Sequence, residues 1–216
     1  MRFSDNPSGF VNIPALIPDA VLEIRYFTGD NFIGERIDGY EEEAALLTRE
    51  AALALRQAAV RARENGCVLK IYDAYRPQAA VDHFMRWAED PSDLRRKEAY
   101  YPDLAKEEII PGGYIAGHSG HTRGSTVDLT LLDAETGEEL DMGGTFDWFG
   151  DRSHTDFAGL SGEQAENRAL LRRIMENSGF TGIREEWWHF TLAKEPYPDT
   201  YFTFPVNSAL LPGEKD

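Results

Sequence analysis

The residues that can perform chemistry are concentrated in two short stretches that lie far apart in the chain. The first runs from Ser119 to Asp128 and contains His121, and the second is the sequence Glu-Trp-Trp-His that begins at Glu186 and ends at His189. Two imidazoles and one carboxylate can supply three ligands to a zinc ion and leave its fourth tetrahedral position open for water. Glu186 is then a nearby carboxylate that is free to act as a base. The pattern therefore predicts a hydrolytic zinc site instead of a structural one.

The spacing within the first stretch leaves two questions open. His118 lies three residues before His121, so either histidine, or both, can be the ligand. Positions 121 and 128 differ by an odd number of residues, and on one flat strand their side chains would face opposite ways. Gly124 lies between them and permits a tight turn. We therefore expect the histidine on a loop that folds back beside a strand carrying Asp128.

Composition limits the classes of partner and the number of domains. The chain has 216 residues, a net charge of −16 and a hydrophobic content of 42%. Such acidity repels phosphate backbones and anionic lipid surfaces, which argues against nucleic acid and membranes as partners. The lone Cys67 cannot form an internal disulfide, and the N-terminus has no apolar run of signal-peptide length. These features predict one domain over residues 1–216 in a cytoplasmic protein.

The elements before the first stretch are predicted from their apolar periodicity. We expect residues 1–20 to wrap the surface and a first strand to begin at Val21 and end near Thr28. Thr48 is expected to cap an amphipathic helix that stops at Asn65-Gly66. A second strand, 68–73, then leads into a helix over residues 79–88.

Two segments between these elements are candidate parts of a site. The turn-rich loop from Gly29 to Gly39 can cover it, with Tyr26 and Asn31 as lining residues or as packing and turn-forming residues. Arg76 stands at a strand-to-helix corner, where side chains are often presented to ligands. An arginine at such a corner is equally often a structural ion-pair partner.

The elements after the first stretch include the segment that carries Glu186. Residues 125–131 are predicted to form a strand, and Ser161 is expected to open a helix with a capping box. The last strand is expected over residues 182–192, with Glu186 at its centre. Burying a glutamate among tryptophans without a partner costs several kcal/mol, so a water at a metal site would be a favourable neighbour. An edge glutamate beside a satisfied core histidine is the alternative.

Three motifs together resemble those of a known family. They are the Ser-Gly-His-Thr-Arg-Gly-Ser-Thr-Val-Asp stretch ending at Asp128, the Glu-Trp-Trp-His sequence ending at His189, and the Tyr-Asp-Ala-Tyr-Arg-Pro sequence from Tyr72 to Pro77. They resemble the VanX-type D-alanyl-D-alanine dipeptidases, zinc enzymes related to the D,D-carboxypeptidases and to the hedgehog signalling domain. The resemblance extends over nearly the whole chain. One departure is Thr126, where the family often has alanine.

The resemblance implies a role for each candidate residue. The implied ligands of one zinc ion per chain are His121, Asp128 and His189, because His118 falls where the family has no ligand. Glu186 is the implied general base that activates the attacking water, and Arg76 is implied to stabilise the oxyanion. The implied substrate contacts are Ser119, Asp147 and Tyr26.

The resemblance also implies a fold and an activity. The expected fold is a single α+β domain of the hedgehog and D,D-peptidase type, with a central, mainly antiparallel sheet flanked by helices. The expected reaction is hydrolysis of D-alanyl-D-alanine to two D-alanine molecules. A D,D-carboxypeptidase acting on longer peptidoglycan stems is one alternative, and a non-catalytic zinc-binding module is another. The oligomeric state stays open, with a homodimer as the assembly considered.

Overall fold

The computed structural model describes residues 1–212. Its strands are β1 (Arg2–Ser4), β2 (Phe10–Asn12), β3 (Val21–Leu22), β4 (Leu46–Thr48), β5 (Cys67–Asp73), β6 (Thr126–Asp133), β7 (Phe180–Gly182), β8 (His189–Leu192) and β9 (Thr200–Phe202). Its α-helices are α1 (Ile13–Leu16), α2 (Arg49–Glu64), α3 (Gln78–Glu89), α4 (Lys97–Tyr100) and α5 (Gly162–Glu176). Short 3₁₀ turns cover Lys106–Glu108, Gly120–Arg123, Asp151–Ser153 and Ser208–Leu210.

The central sheet has five strands in the order β3-β5-β6-β8-β7. Strands β5, β6, β8 and β7 pair antiparallel, whereas β3 pairs parallel with β5. The predicted α+β class is confirmed, but the sheet is mixed instead of mainly antiparallel. The reason is the long connection between β3 and β5, which contains α2 and returns the chain to the sheet in its original direction.

The strand register brings three ionisable side chains into one row. Asp128 of β6 lies opposite His189 of β8, and Asp73 of β5 lies opposite Asp128 after a bulge that follows Ile71. Residues that face each other across antiparallel strands project from the same side of the sheet. The sheet therefore places Asp73, Asp128 and His189 side by side.

Two helices support the sheet. Helix α2 packs against β5 and α5, and α5 packs against β7. The buried face of α2 is mostly alanine with Leu55, so its backbone can approach the sheet closely. Ser161 opens α5 with the capping box predicted from the sequence, in which Gln164 is the reciprocal partner. Among residues 1–212, no helix has the length and apolar character needed to cross a bilayer.

Two predicted strand assignments and the expectation for residues 1–20 are wrong. The first strand of the sheet ends at Leu22, well before Thr28, because the chain soon leaves β5 in a turn in which the Phe27 amide donates to the Ile24 carbonyl. Residues 1–20 do not only wrap the surface, since β1 pairs with β9 and β2 pairs with β4. The expected last strand over 182–192 is two strands, β7 and β8, joined by a loop over residues 183–188.

Candidate metal centre

The side chains of His121, Asp128 and His189 converge at one point above the sheet. Nε2 of His121 lies 3.2 Å from Oδ2 of Asp128, and Nδ1 of His189 lies 3.2 Å from Oδ1 of the same carboxylate. The two imidazole nitrogens are 3.3 Å apart. Ligands that surround a tetrahedral zinc ion at its usual bond lengths are separated by about 3.3 Å. The three donors are therefore spaced as ligands of one ion.

A 3₁₀ turn brings His121 and Asp128 together despite the odd number of positions between them in the sequence. Ser119 caps the turn, because its Oγ accepts a hydrogen bond of 3.3 Å from the His121 amide. Gly124 ends the turn at a φ of +76°, and a side chain there would also clash with the ring of Phe10. The predicted reversal at Gly124 is confirmed. It turns His121 back over the strand that carries Asp128.

The hydrogen-bond pattern of the cluster fits a bound cation. Nδ1 of His121 lies 2.7 Å from the Ala74 carbonyl oxygen, so this nitrogen carries the proton and donates it. Nε2 is then left with its lone pair toward the cluster, as in metal-ligating histidines that donate through the other nitrogen. Oδ1 of Asp128 is buried without a hydrogen-bond donor, which is costly unless another positive group satisfies it. A divalent metal ion is such a group.

The charges around the cluster are dominated by carboxylates. Burial would raise the pKa of Asp128, but His121 and His189 outweigh burial and hold it below its usual range. Burial would lower the pKa of His189, but the adjacent carboxylates of Asp128 and Glu186 raise it to about 10. The carboxylates of Asp128 and Glu186 thus make the space beside His189 attractive to positive charge. This electrostatic environment favours a cation between the three donors.

The structure distinguishes His121 from His118, the alternative considered from the sequence. His118 is exposed, and its ring lies against that of Tyr201 with 5.2 Å between the ring centroids. In the described part of the chain, the group with metal-ligand spacing consists of His121, Asp128 and His189. His118 lines the adjoining cavity but is not brought into this group.

Arg76 lies beside the cluster, at the corner between β5 and α3. Its guanidinium donates to Oδ2 of Asp73 through Nε at 2.9 Å and Nη2 at 2.8 Å, and Nη2 is 3.5 Å from Oδ2 of Asp128. The guanidinium carbon is 4.9 Å from the centroid of the Tyr26 ring. Arg76 is therefore an ion-pair partner and a lining residue of the site at once. The two roles considered from the sequence, presentation to a ligand and structural ion pairing, are therefore compatible with each other.

Asp73 is part of the site although the sequence did not single it out. It is fully buried, accepts a hydrogen bond of 2.6 Å from the Tyr40 hydroxyl, and lies 3.6 Å from Nδ1 of His121. The available signal was its place three residues before Arg76 at the end of a strand. Burial raises the pKa of Asp73 more than Arg76 and His121 lower it.

A cavity of about 270 Å³ opens beside the three donors. Polar and apolar residues both form its walls, and the apolar and aromatic ones include Phe32, Phe84, Tyr114, Ile115 and Phe149. Tyr26 and Ser119, the candidate substrate contacts, also line it. Asn31 does not line the cavity, and its buried amide instead donates to the main-chain carbonyls of Arg25, Thr28 and Glu35. Its neighbour Phe32 reaches the cavity instead.

Asp147 lines the same cavity and has an unusual environment. Its side chain is buried, it accepts a hydrogen bond of 2.8 Å from the Tyr26 hydroxyl, and its φ of +62° lies in the left-handed region. Burial and the nearby carboxylates of Asp128 and Glu186 raise its pKa well above the ordinary value, despite the opposing effect of Arg76. A buried carboxyl of this kind is suited to a cationic partner.

Glu186 lies in the loop between β7 and β8, not in a strand. Its side chain is 36% exposed, and Oε2 lies 3.3 Å from Nδ1 of His189. The expectation of a buried strand glutamate is wrong, because the chain turns here while Trp187 and Trp188 are buried. The cost of burying its charge therefore does not apply. Glu186 instead lines the cavity beside the three donors.

Comparisons with known proteins agree with one another over most of the chain. A peptidase M15 family model, described as D-ala-D-ala dipeptidase, matches residues 6–207. A D-alanyl-D-alanine dipeptidase of Enterococcus faecalis is 46% identical over 93% of this chain and 99% of the relative. A protein of the same name in Streptomyces coelicolor is 43% identical over 91% of this chain and 98% of the relative. Another in Escherichia coli is 37% identical over 84% of this chain and 83% of the relative. A solved vancomycin resistance D,D-pentapeptidase aligns at a TM-score of 0.42 and 15% identity, over 72% of this chain and 77% of that one.

Proposed function

Since the chain belongs to the peptidase M15 family of D-alanyl-D-alanine dipeptidases, we propose that it is a zinc-dependent enzyme that hydrolyses D-alanyl-D-alanine to two D-alanine molecules. The observation that carries the zinc assignment is the buried carboxylate of Asp128, which has an imidazole nitrogen beside each of its oxygens and an Oδ1 that accepts no hydrogen bond. We assign residues 1–216 to one zinc D,D-dipeptidase domain. A cytoplasmic location and a homodimer stay predictions, to be measured by cell fractionation and by light scattering of the purified protein.

His121, Asp128 and His189 would hold the zinc ion. When bound, zinc supplies a Lewis acid that polarises a carbonyl oxygen and lowers the pKa of water. Borderline-soft imidazole nitrogens with one carboxylate are a donor set that zinc accepts in catalytic sites. The hydrogen bond from His121 to the Ala74 carbonyl supports this assignment, because it holds the imidazole in the tautomer that a ligand needs.

Glu186 and Arg76 are assigned the two chemical roles that the protein itself must supply. The Glu186 carboxylate takes a proton from the attacking water and later returns it to the leaving amine. Its partial exposure and its place beside His189 support this role. Arg76 directs a fixed positive charge toward the carbonyl oxygen as that oxygen becomes negative. Its ion pair with Asp73 holds the guanidinium in place before substrate arrives.

The remaining lining residues are assigned to substrate binding. Asp147 binds the ammonium group of the dipeptide, and a cation there returns its carboxyl toward the charged form. Tyr26 orients Asp147 through the hydrogen bond from its hydroxyl. Ser119 lies on the cavity wall, where its hydroxyl can donate to the substrate carboxylate while its Oγ still accepts from the His121 amide.

The size of the cavity favours a small substrate. Its volume of about 270 Å³ is just below the range of about 300–1,000 Å³ usual for drug-sized ligands. The loop that contains Phe32 forms one wall and is tied internally by Asn31. These features support a free dipeptide over a longer peptidoglycan stem.

The first experiment measures D-alanine release by the zinc-loaded protein. We expect D-alanyl-D-alanine to be cleaved, a stem pentapeptide ending in D-alanyl-D-alanine to be left intact, and a chelator to stop the reaction. Cleavage of the pentapeptide would make the protein a D,D-carboxypeptidase. No cleavage of either substrate would leave a non-catalytic zinc-binding module.

Replacing Asp147 with asparagine is expected to raise KM for D-alanyl-D-alanine about 10- to 100-fold, because a hydrogen bond to a charged group is worth about 1.5–3 kcal/mol. Asparagine tolerates the positive φ of this position, so the fold should be kept. Steady-state kinetics measure the effect. Asp151→Asn, a change in an exposed side chain nearby, is the matched control. An unchanged KM in Asp147→Asn would place the ammonium group elsewhere.

A further inference from the structure

Arg168 is a buried cation whose partners are unusual. It lies in α5 and is 3% exposed. Its guanidinium donates to three main-chain carbonyl oxygens, those of Met142 at 2.6 Å, His154 at 2.6 Å and Arg152 at 2.8 Å. Among residues 1–212, no carboxylate forms an ion pair with it. The charge is held by main-chain carbonyl oxygens, and the guanidinium carbon also lies 5.6 Å from the centroid of the Trp187 ring.

This placement is unfavourable for the charge itself. Burial lowers the pKa of Arg168 to about 10, and the weak attraction of Asp141 does not restore it. Burying a charge is costly unless hydrogen bonds compensate it, and here the three carbonyl oxygens supply those bonds. An uncharged residue would fill the same space with a smaller desolvation penalty, but it would leave three carbonyl oxygens without hydrogen-bond donors.

The three carbonyls lie at the two ends of one loop, residues 142–154. Met142 is at its start, and Arg152 and His154 are at its end, so one planar guanidinium fixes the distance between the ends. The side chain of Asn167, also in α5, donates to the carbonyl of Asp141 just before the loop. Asp147 lies near the middle of this loop.

Asp147 has a backbone conformation that needs support from the surrounding chain. A positive φ is uncommon outside glycine and persists only where the surrounding structure enforces it. Asp147 has a φ of +62° and a buried side chain, and it lies between the two ends of the loop that the guanidinium of Arg168 joins. The far end of the loop is also tied to the Glu186 segment, because the Trp187 amide donates to the Ser153 carbonyl at 3.0 Å.

We propose that Arg168 is a positioning residue for the ammonium-binding part of the site: by clamping both ends of loop 142–154 it holds the Asp147 carboxylate in the cavity. It touches neither the metal donors nor the cavity and acts through Asp147. The inference rests on the proposed dipeptidase function. It adds a determinant of substrate affinity that lies on a helix outside the site.

The test is a double-mutant cycle between Arg168→Lys and Asp147→Asn. Lysine keeps the charge but cannot satisfy three carbonyls in one plane. Arg168→Lys is expected to raise KM about fivefold and to leave kcat within about twofold. A change in KM of this size is typical of the coupling between residues in one hydrogen-bond network. In the Asp147→Asn background the same change should raise KM by less than about twofold, because the carboxylate that it positions is already gone.

Controls separate a positioning effect from general damage to the helix. Arg172→Lys changes an exposed arginine of α5 that pairs with Glu176, and it should alter neither kinetics nor zinc content. If Arg168→Lys unfolds at the assay temperature, Asn167→Ala removes one tether of the loop and should raise KM about twofold in the same direction. Equal effects of Arg168→Lys in both backgrounds would overturn the inference while leaving the dipeptidase function intact. Absence of turnover in the unmodified protein would overturn both.

Discussion

Replacing Glu186 with glutamine is expected to lower kcat by about 10²- to 10⁴-fold, the usual contribution of a general base, while zinc content stays unchanged. Glutamine keeps the shape of the side chain but cannot take a proton. Glu186 is outside the group of three donors with metal-ligand spacing, and its side chain is partly exposed, so neither metal binding nor folding should depend on its charge. Steady-state kinetics and metal analysis of the same sample measure both quantities.

Glu185 provides the matched control for this change. It is the preceding residue of the same loop and is exposed, so Glu185→Gln should retain full activity and full zinc content. Normal turnover in Glu186→Gln would show that another group removes the proton. Loss of zinc in Glu186→Gln would instead make Glu186 a ligand.

Replacing His121 with alanine is expected to weaken zinc binding by more than about 100-fold, because changes in residues that merely support a ligand already cost about 10- to 100-fold. The change removes Nε2 from the cluster and also leaves the Ala74 carbonyl without its donor. Competition with a chromogenic chelator measures the affinity. Activity should fall together with metal content.

His118 is the internal control for the ligand assignment. It lies three residues earlier, lines the cavity and is exposed, so His118→Ala should retain zinc. Wild-type affinity in His121→Ala, or loss of zinc in His118→Ala, would reverse the choice between the two histidines.

The sequence predicted the elements that carry the donors because their local signals are strong. Helix α2 was expected to stop at Asn65-Gly66 and ends at Glu64, and the strand with Asp128 was expected where β6 lies. The turn at Gly124 could be anticipated, since an odd spacing must be reversed for His121 and Asp128 to meet. Such features follow from a few neighbouring residues.

The features that could not be predicted from the sequence depend on contacts between distant segments. The break between β7 and β8 leaves Glu186 in a loop, and apolar periodicity alone could not separate this from one long strand. The direction of β3 is likewise set by the path of the chain through α2. Asp73 was missed because a buried aspartate is recognised only from the partners that surround it, here Arg76 and the Tyr40 hydroxyl.

The origin of the three donors in separate parts of the chain determines when the metal can be acquired. His121 and His189 are 68 positions apart in sequence and meet only because β6 and β8 are neighbours in the sheet. An extended chain offers these groups singly, and a single imidazole or carboxylate holds zinc weakly. During synthesis, the site is therefore complete only after β8 has left the ribosome and joined the sheet. Free zinc then favours the native state by mass action, so zinc supply should affect how much enzyme survives in the cell.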